Sequence, residues 1–401
     1  MQAMNIKWLV ILAISLGLGL GLVGGWRVLI WLRDEASLAA SHPARQYLGI
    51  YKPQVIGFYP YWLIGDGSTD YTPYLTNLTY FGLVINPDGS LQQFTKPSES
   101  EPGWNKLKGP AVAQALQRSR NQGQETSLLL HLSDEQAIKA LLTQPEAHAT
   151  RLMSEVAPLM KQHGFQDLNL DLESFNDASP AAQVAFTQFV KTLDQEIDQH
   201  GLGTLTIEVT PISLVRPHLI DVASISTHVD RIVLMAYDYS YRGSFVSGPV
   251  APLGGVGEVR ELDVESSVQT LLATVPPEKV ILGMPIYGYE WETIERQPGA
   301  AVIPGSGKTA THKRITELLK TCVHCVKNMD AISSSPYLLL PETQEGYTQQ
   351  IFYDDQESIR HKLDLAYRYR LGGVAIWALG YEGEGLLEPL TTYQNRGWFS
   401  E

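Results

Sequence analysis

The sequence predicts an α/β protein built as a closed barrel of eight parallel strands, and three observations carry that reading. Short apolar strand patterns alternate with helical ones along most of the chain, which is the mark of repeated βα units. Residues 165–175 (FQDLNLDLESF) alternate, so that Leu168, Leu170 and Leu172 share one face of a strand while Asp167, Asn169, Asp171 and Glu173 share the other. An apolar face for helices and a polar row for a shared interior suit a barrel strand, whose functional residues stand where the strand ends. Finally, 401 residues, 44% of them hydrophobic and 18% charged, can bury a barrel core, which takes about 250 residues or more, and still leave room for additions.

Taken in order, residues 55–61 (VIGFYPY) read as the first strand, 78–86 as the second with Pro87-Asp88-Gly89 as its turn, and 127–132 as the third. Ser133 followed three residues on by Gln136 has the spacing of a capped helix start, and helical periodicity covers much of 134–163. The acidic strand comes next, then a helix over 180–200 ended by Gly201. Residues 205–211 (LTIEVTP), 231–238 (RIVLMAYD), 280–287 (VILGMPIY) and 373–378 (GVAIWA) supply strands five to eight. The interval 290–350 is too long for a plain loop. With its own helix at about 309–321 and strand-like pieces, it reads as an α+β insertion between strands seven and eight, inside a domain of residues 55–395.

The N-terminus stands apart from this domain. No residue from Trp8 to Trp26 is charged, and nineteen helical residues nearly cross the hydrocarbon core of a bilayer. Residues 1–33 are therefore expected to form a single membrane anchor, with a tryptophan at each end of the apolar run, and residues 34–54 a linker. A cleaved export signal, with Ser37-Leu38-Ala39 at the cleavage point, is the competing reading, but the run is long for one and Arg27 and Arg33 intervene. Lys7 on one side and Arg27 and Arg33 on the other give the positive-inside rule no direction.

The formal net charge of −13 argues against a protein that tracks nucleic-acid phosphates, which needs a basic face. Within the acidic strand, Asp171 and Glu173 point the same way, roughly 7 Å apart by strand rise. Two close carboxylates resist joint ionisation, and the one that keeps its proton is a general acid near neutral pH. A solvated acidic strand end satisfies the same pattern without any chemistry.

Residues 164–173 (GFQDLNLDLE) resemble the strand-four signature of glycoside hydrolase family 18, the chitinase-like family. Its pattern runs aromatic, Asp-Gly, apolar, Asp or Asn, apolar, Asp, any residue, Glu. The resemblance places Glu173 on the general acid/base, Asp171 on its partner acid and Asn169 on the middle position, where Asn is typical of the spore-cortex-lytic branch. Gln166 and Asp167 depart from it, standing where the pattern has Asp-Gly. Met235-Ala236-Tyr237-Asp238 matches the family's Met-x-Tyr-Asp element, and Trp377 resembles the Trp at the floor of its sugar site. A buried Tyr and a core Trp are the bland readings of these two. Tyr59, Tyr61 and Trp62 after strand one, and Tyr287, Tyr289 and Trp291 after strand seven, add aromatics to the same rim. Residues 352–382 also resemble the cortex-lytic branch, so that the likeness covers about 52–390.

What the resemblance implies is a retaining, substrate-assisted hydrolysis of β-1,4-linked N-acetylglucosamine glycans, chitin oligomers or peptidoglycan strands. Glu173, Asp171 and Tyr237 would be catalytic, and Asn169, Met235, Asp238, Trp377, Tyr59 and Tyr287 would bind substrate. No cofactor or metal is implied, and a monomer at the cell membrane, with the domain outside the cytoplasm or else secreted, is expected. A glycan-binding relative without activity is the alternative on the same barrel, and the presence of the acid weighs against it. Cys322 and Cys325, the two cysteines, would need distant histidines such as His312 to hold zinc. They read as a small-ring disulfide or an unused pair, and no metal is assigned.

Overall fold

The computed structural model describes residues 52–65, 69–257 and 261–396. The anchor expected over 1–33, and all of the 34–54 linker but its last three residues, lie outside them. Among the described residues no helix is long and apolar enough to cross a membrane.

Strands β1 (Gln54–Pro60), β2 (Asn77–Val84), a small hairpin of β3 (Phe94–Lys96) and β4 (Glu99–Ser100), β5 (Glu125–Leu132), β6 (Asp167–Leu172), β7 (Thr204–Val209), β8 (Arg231–Met235) and β9 (Val280–Pro285) follow in chain order. A second sheet intervenes, formed by β10 (Tyr287–Thr293), β11 (Lys308–Thr311), β12 (Val326–Asp330), β13 (Ser335–Leu339) and β14 (Thr348–Phe352), and β15 (Gly373–Trp377) ends the series. The closed barrel runs β1-β15-β9-β8-β7-β6-β5-β2, every pair parallel. It is a (β/α)8 barrel with helices outside it.

Strand alternation sorts the side chains into two cores. Leu168, Leu170 and Leu172 join Phe186, Phe189 and Leu193 of the helix Pro180–His200, all almost fully buried. Each such side chain stabilises by roughly 1.5–3 kcal/mol through apolar burial. Ile56, Phe58, Phe81, Leu129, Val233 and Ile281 form a separate cluster. Only the lumen can bring together residues from five strands on opposite walls of the barrel.

Local chemistry explains the element ends. The helix Pro180–His200 begins on Ser179, whose hydroxyl accepts from Ala182 N at 3.2 Å, and stops at Gly201 with φ 61°, a conformation glycine adopts without a Cβ penalty. The helix expected to start at Ser133 is capped one residue later. Asp134 accepts from Gln136 N at 3.1 Å and Ala137 N at 2.8 Å, because a carboxylate is the stronger acceptor for the free N–H groups of the first turn. The region 134–163 is two helices, Glu135–Leu141 and Pro145–His163.

The second sheet is antiparallel, in the order β11-β10-β14-β13-β12, with the helix His312–Thr321 beside it. It leaves the barrel after β9 and returns before the helix Gln356–Arg368. A buried ion pair marks the return. Lys362, 1% exposed, meets Asp354, which also accepts from Ser358 Oγ at 2.6 Å. Cys322 and Cys325 are joined by a disulfide. His312 serves the junction instead, its Nδ1 accepting from Gly383 N at 3.1 Å.

Candidate active site

The lumen carries two polar layers. At the N-terminal end of the strands, Arg231 of β8 donates to both oxygens of Glu125, at 2.9 Å each, and approaches Asp167 Oδ1 at 3.4 Å. Thr204 and Thr206 donate to the same Asp167 oxygen at 2.7 and 2.9 Å. The departure from the family pattern at Asp167 is thus answered by a cation and two hydroxyls from neighbouring strands. Burial still outweighs the pull of Arg231 and holds the Asp167 carboxyl at about 6. For Arg231, burial favours loss of the proton, but Asp167 and Glu125 more than reverse this and raise its proton affinity.

Toward the C-terminal end the lumen becomes acidic. Asn169 and Asp171 point inward from β6, and Glu173 follows directly, its N–H bonded to Leu132 O at 3.0 Å. Asp171 is 6% exposed, and its Oδ1 has no hydrogen-bond partner. Burial first, and Glu173 second, raise the Asp171 proton affinity well above that of a free carboxyl. Glu173 is raised too, by burial and then by Asp238. The loop after it is pinned by Glu135, which accepts from Phe175 N at 2.7 Å and from Ser174 Oγ at 3.1 Å.

Tyr237 follows β8 and points into the same space. Burial, then Glu208, Asp171 and Glu173, push its phenol well up, so it stays a hydrogen-bond donor. Its ring fits because Gly283 on β9 has no side chain; a Cβ there would lie 2.7 Å from Leu234 O and 3.3 Å from the Tyr237 ring. Asp238 has φ 59°, in the left-handed region where a non-glycine residue is strained. Part of Asp238 reaches solvent, yet its carboxyl is walled by Tyr287 and Tyr289, both of which donate to Oδ1. Burial raises its proton affinity and these two bonds oppose the rise.

Aromatics form the opposite wall. Trp377 packs edge-on to Phe81 at 5.0 Å and lies 6.0 Å from Phe58 and 6.4 Å from Trp62, which is 47% exposed. Met235 lines a cleft with Glu173, Ser174, Glu208, Thr210 and Ser213. Glu173, Asp171, Tyr237, Asp238, Met235, Tyr287 and Trp377 therefore converge on the C-terminal mouth, with Asn169 fully buried in the lumen one step below Asp171.

Tyr59 does not belong with them. It alternates with Phe58, faces the helices and packs on Tyr71 at 5.4 Å, because its parity is that of Val55 and not that of the inward Ile56 and Phe58. Trp291 is fully buried in the core of the second sheet. Sequence reasoning misses three inward groups: Phe81, His131 stacked on it at 4.9 Å, and Glu208, which is buried. The signal for Glu208 is an acid in mid-strand between Ile207 and Val209.

An acid layer at the strand ends of a (β/α)8 barrel, walled by exposed and half-buried aromatics, is the construction of a sugar-cleaving enzyme. Residues 54–382 match the profile described as Glycosyl hydrolases family 18, and the chain belongs to that family; it is a glycoside hydrolase. The cortical fragment-lytic enzyme of Bacillus subtilis is 24% identical over 330 residues, spanning 79% of this chain and 67% of the relative. Among solved structures, the spore cortex-lytic enzyme SleL of Bacillus cereus superposes with a TM-score of 0.64 at 18% identity, over 86% of this chain and 74% of that one. The Group IV chitinase of Ostrinia furnacalis, solved with allosamidin, gives 0.72 at 21% identity, over 86% and 98%. At these identities the structural likeness speaks for the fold.

Proposed function

We propose that the chain is a retaining, substrate-assisted hydrolase of β-1,4-linked N-acetylglucosamine glycans, with Glu173 as general acid and base. The observation that carries this is the arrangement at the end of β6. Glu173 holds a proton above the normal carboxyl range and stands beside a buried Asp171 whose Oδ1 is unpartnered, with a protonated phenol, Tyr237, across the mouth. Glu173 gives its proton to the glycosidic oxygen. The nucleophile toward the anomeric carbon is the 2-acetamido carbonyl of the substrate itself, in place of a second carboxylate. Asp171 accepts from the acetamide N–H and Tyr237 donates to its carbonyl oxygen, so both act on charge that develops during the reaction. Glu173, now ionised, takes a proton from the attacking water. Asn169, Met235, Asp238, Tyr287 and Trp377 shape the sugar site, with the indole face of Trp377 available to the C–H face of a ring.

The apolar run from Trp8 to Trp26 supports a single-pass anchor, and an extracellular glycan as substrate puts the domain, taken as a monomer, at the outer face of the cell membrane. The test uses the full chain, first fractionated between membrane and soluble material, then offered chitin oligosaccharides and purified peptidoglycan with products read by mass spectrometry. Cleavage of one polymer, reduced about 100- to 10,000-fold in Glu173→Gln, is the expected result and names the substrate. Binding without cleavage by the unaltered chain would move the assignment to a glycan-binding protein, and recovery in the soluble fraction alone would remove the anchor.

A further inference from the structure

Glu208 has no part in the reaction described for Glu173, Asp171 and Tyr237, yet it sits among them. It points into the lumen from β7 as the cross-strand neighbour of Asp171, one step beyond the Leu170–Ile207 pair in the parallel register. It is 3% exposed, and neither of its carboxyl oxygens has a hydrogen-bond partner. The facing Asp171 Oδ1 is equally bare. The Asn169 amide lies close by but outside hydrogen-bonding geometry.

The titratable groups around Glu208 are acids. Asp171, Glu173 and, one layer lower, Asp167 face it from β6, and the Tyr237 phenol faces it from the end of β8. His131 on β5 stands in register with Asp171, on its far side, stacked on Phe81. Arg231 is committed to Glu125 and Asp167 in the lower layer. Among the described residues Glu208 has no ion pair. Two buried carboxyls with no cation between them do not both ionise, since each buried anion carries a large desolvation penalty and repels the other. Burial and Asp171 are the leading causes that drive the Glu208 proton affinity up.

We propose that Glu208 is the positioning residue for Asp171: it carries a proton and donates its O–H to the free Oδ1, which keeps Asp171 ionised and fixed for the acetamide N–H. The bond forms by rotation of the two carboxyls about their terminal torsions, which are broad and soft. No covalent bond is made or broken by Glu208. Its proton stays on it through the cycle while Glu173 gives up and recovers its own. The inference rests on the assignment of Glu173 and Asp171 made above.

The test compares Glu208→Ala and Glu208→Gln in the full chain on a fluorogenic N-acetylglucosamine oligomer, across pH. A hydrogen bond to the charged form of an acid lowers its proton affinity. Alanine removes the donor, so Asp171 takes up a proton more readily. The acid limb of kcat is expected to move up by about one pH unit, with kcat down about tenfold and KM changed less. Glutamine keeps an N–H donor and should hold the acid limb near its original place. If both variants shift both limbs downward together, Glu208 is a charged neighbour and the proposal is overturned. It is equally overturned if neither variant moves the limb, or if glutamine behaves as alanine does.

A second measurement does not depend on turnover or on the alanine variant folding. The infrared difference between the unaltered chain and Glu208→Gln at pH 7 should contain the carbonyl band of a protonated carboxyl, and its absence overturns the idea. Glu173→Gln assayed alongside separates this proposal from the assignment beneath it. Turnover retained by that variant removes the assignment of the acid, whereas the infrared band reports on Glu208 alone.

Discussion

The two polar layers of the barrel both hold buried acids and arrange them in opposite ways. In the lower layer Asp167 and Glu125 share Arg231 and two threonine hydroxyls. In the upper layer Asp171, Glu173, Glu208 and Asp238 meet no cation among the described residues, and three of the carboxyl oxygens have no hydrogen-bond partner at all. Buried charge that is paired holds its place, while buried acid that is unpaired holds a proton. The lower layer therefore reads as structure and the upper as chemistry, although both draw on β6, β7 and β8 or the residues that directly follow them.

Taking the cation out of the lower layer should separate the two most strongly. Arg231→Met leaves Asp167, 1% exposed, as an uncompensated buried acid beside Glu125, and removing one partner of a buried pair costs about 3–5 kcal/mol. Urea unfolding should show that loss, while kcat per folded molecule stays within about twofold because Arg231 lies a layer below Glu173. Unaltered stability would mean that the lower charges are not a structural unit.

A change in the upper layer should do the reverse, costing activity and not stability. Asp171→Asn should lower turnover about 100-fold, the size of effect expected when a group aimed at developing charge is lost, and it should raise stability at alkaline pH. The sign follows from the raised proton affinity of the Asp171–Glu208 pair in the folded chain, which holds a proton between its two carboxyls. Such a group contributes stability that is complete below its unfolded value and is lost as pH rises through its folded one. Asn cannot ionise, so the variant escapes that loss. A thermal midpoint at pH 8 below that of the unaltered chain would show the Asp171–Glu208 pair to be stabilised with both carboxyls ionised, contrary to a pair that holds a proton.

Much of this architecture is legible in the sequence, because period-two alternation is a local property. The leucines of β6 have to face the helices, and that alone sends Asp171 and Glu173 into the lumen. The same parity rule, applied to β1, turns Tyr59 outward. The aromatic run 58–62 obscures it, since a string of rings reads as a rim whichever way its members point. What parity cannot supply is who meets whom across the barrel. Arg231 and Asp167 lie on strands far apart in the chain, and no local pattern pairs them. Glu208 is visible as an acid in an apolar strand, but its meaning lies in the neighbour that register gives it, Asp171, and register is a property of the closed sheet.

A gentler change asks whether the lower layer is fully compensated. The Asp167 carboxyl is raised to about 6 by burial, with Arg231 opposing. A raised folded value means that the folded chain holds this proton more tightly than the unfolded one. The contribution of Asp167 is therefore complete below about pH 4 and is lost as pH rises through about 6. A rise of that size corresponds to at most about 3 kcal/mol, an upper bound because the titration is shared with Glu125 and Arg231. Asp167→Asn removes the ionisation but keeps a hydrogen-bond acceptor for Thr204 and Thr206, so its stability relative to the unaltered chain should improve between pH 4 and pH 7. A difference in urea unfolding free energy that stays constant over that interval would mean that Arg231 keeps Asp167 ionised throughout. The lower layer would then be compensated in full, and the contrast with the acids above it would be stronger than burial alone makes it.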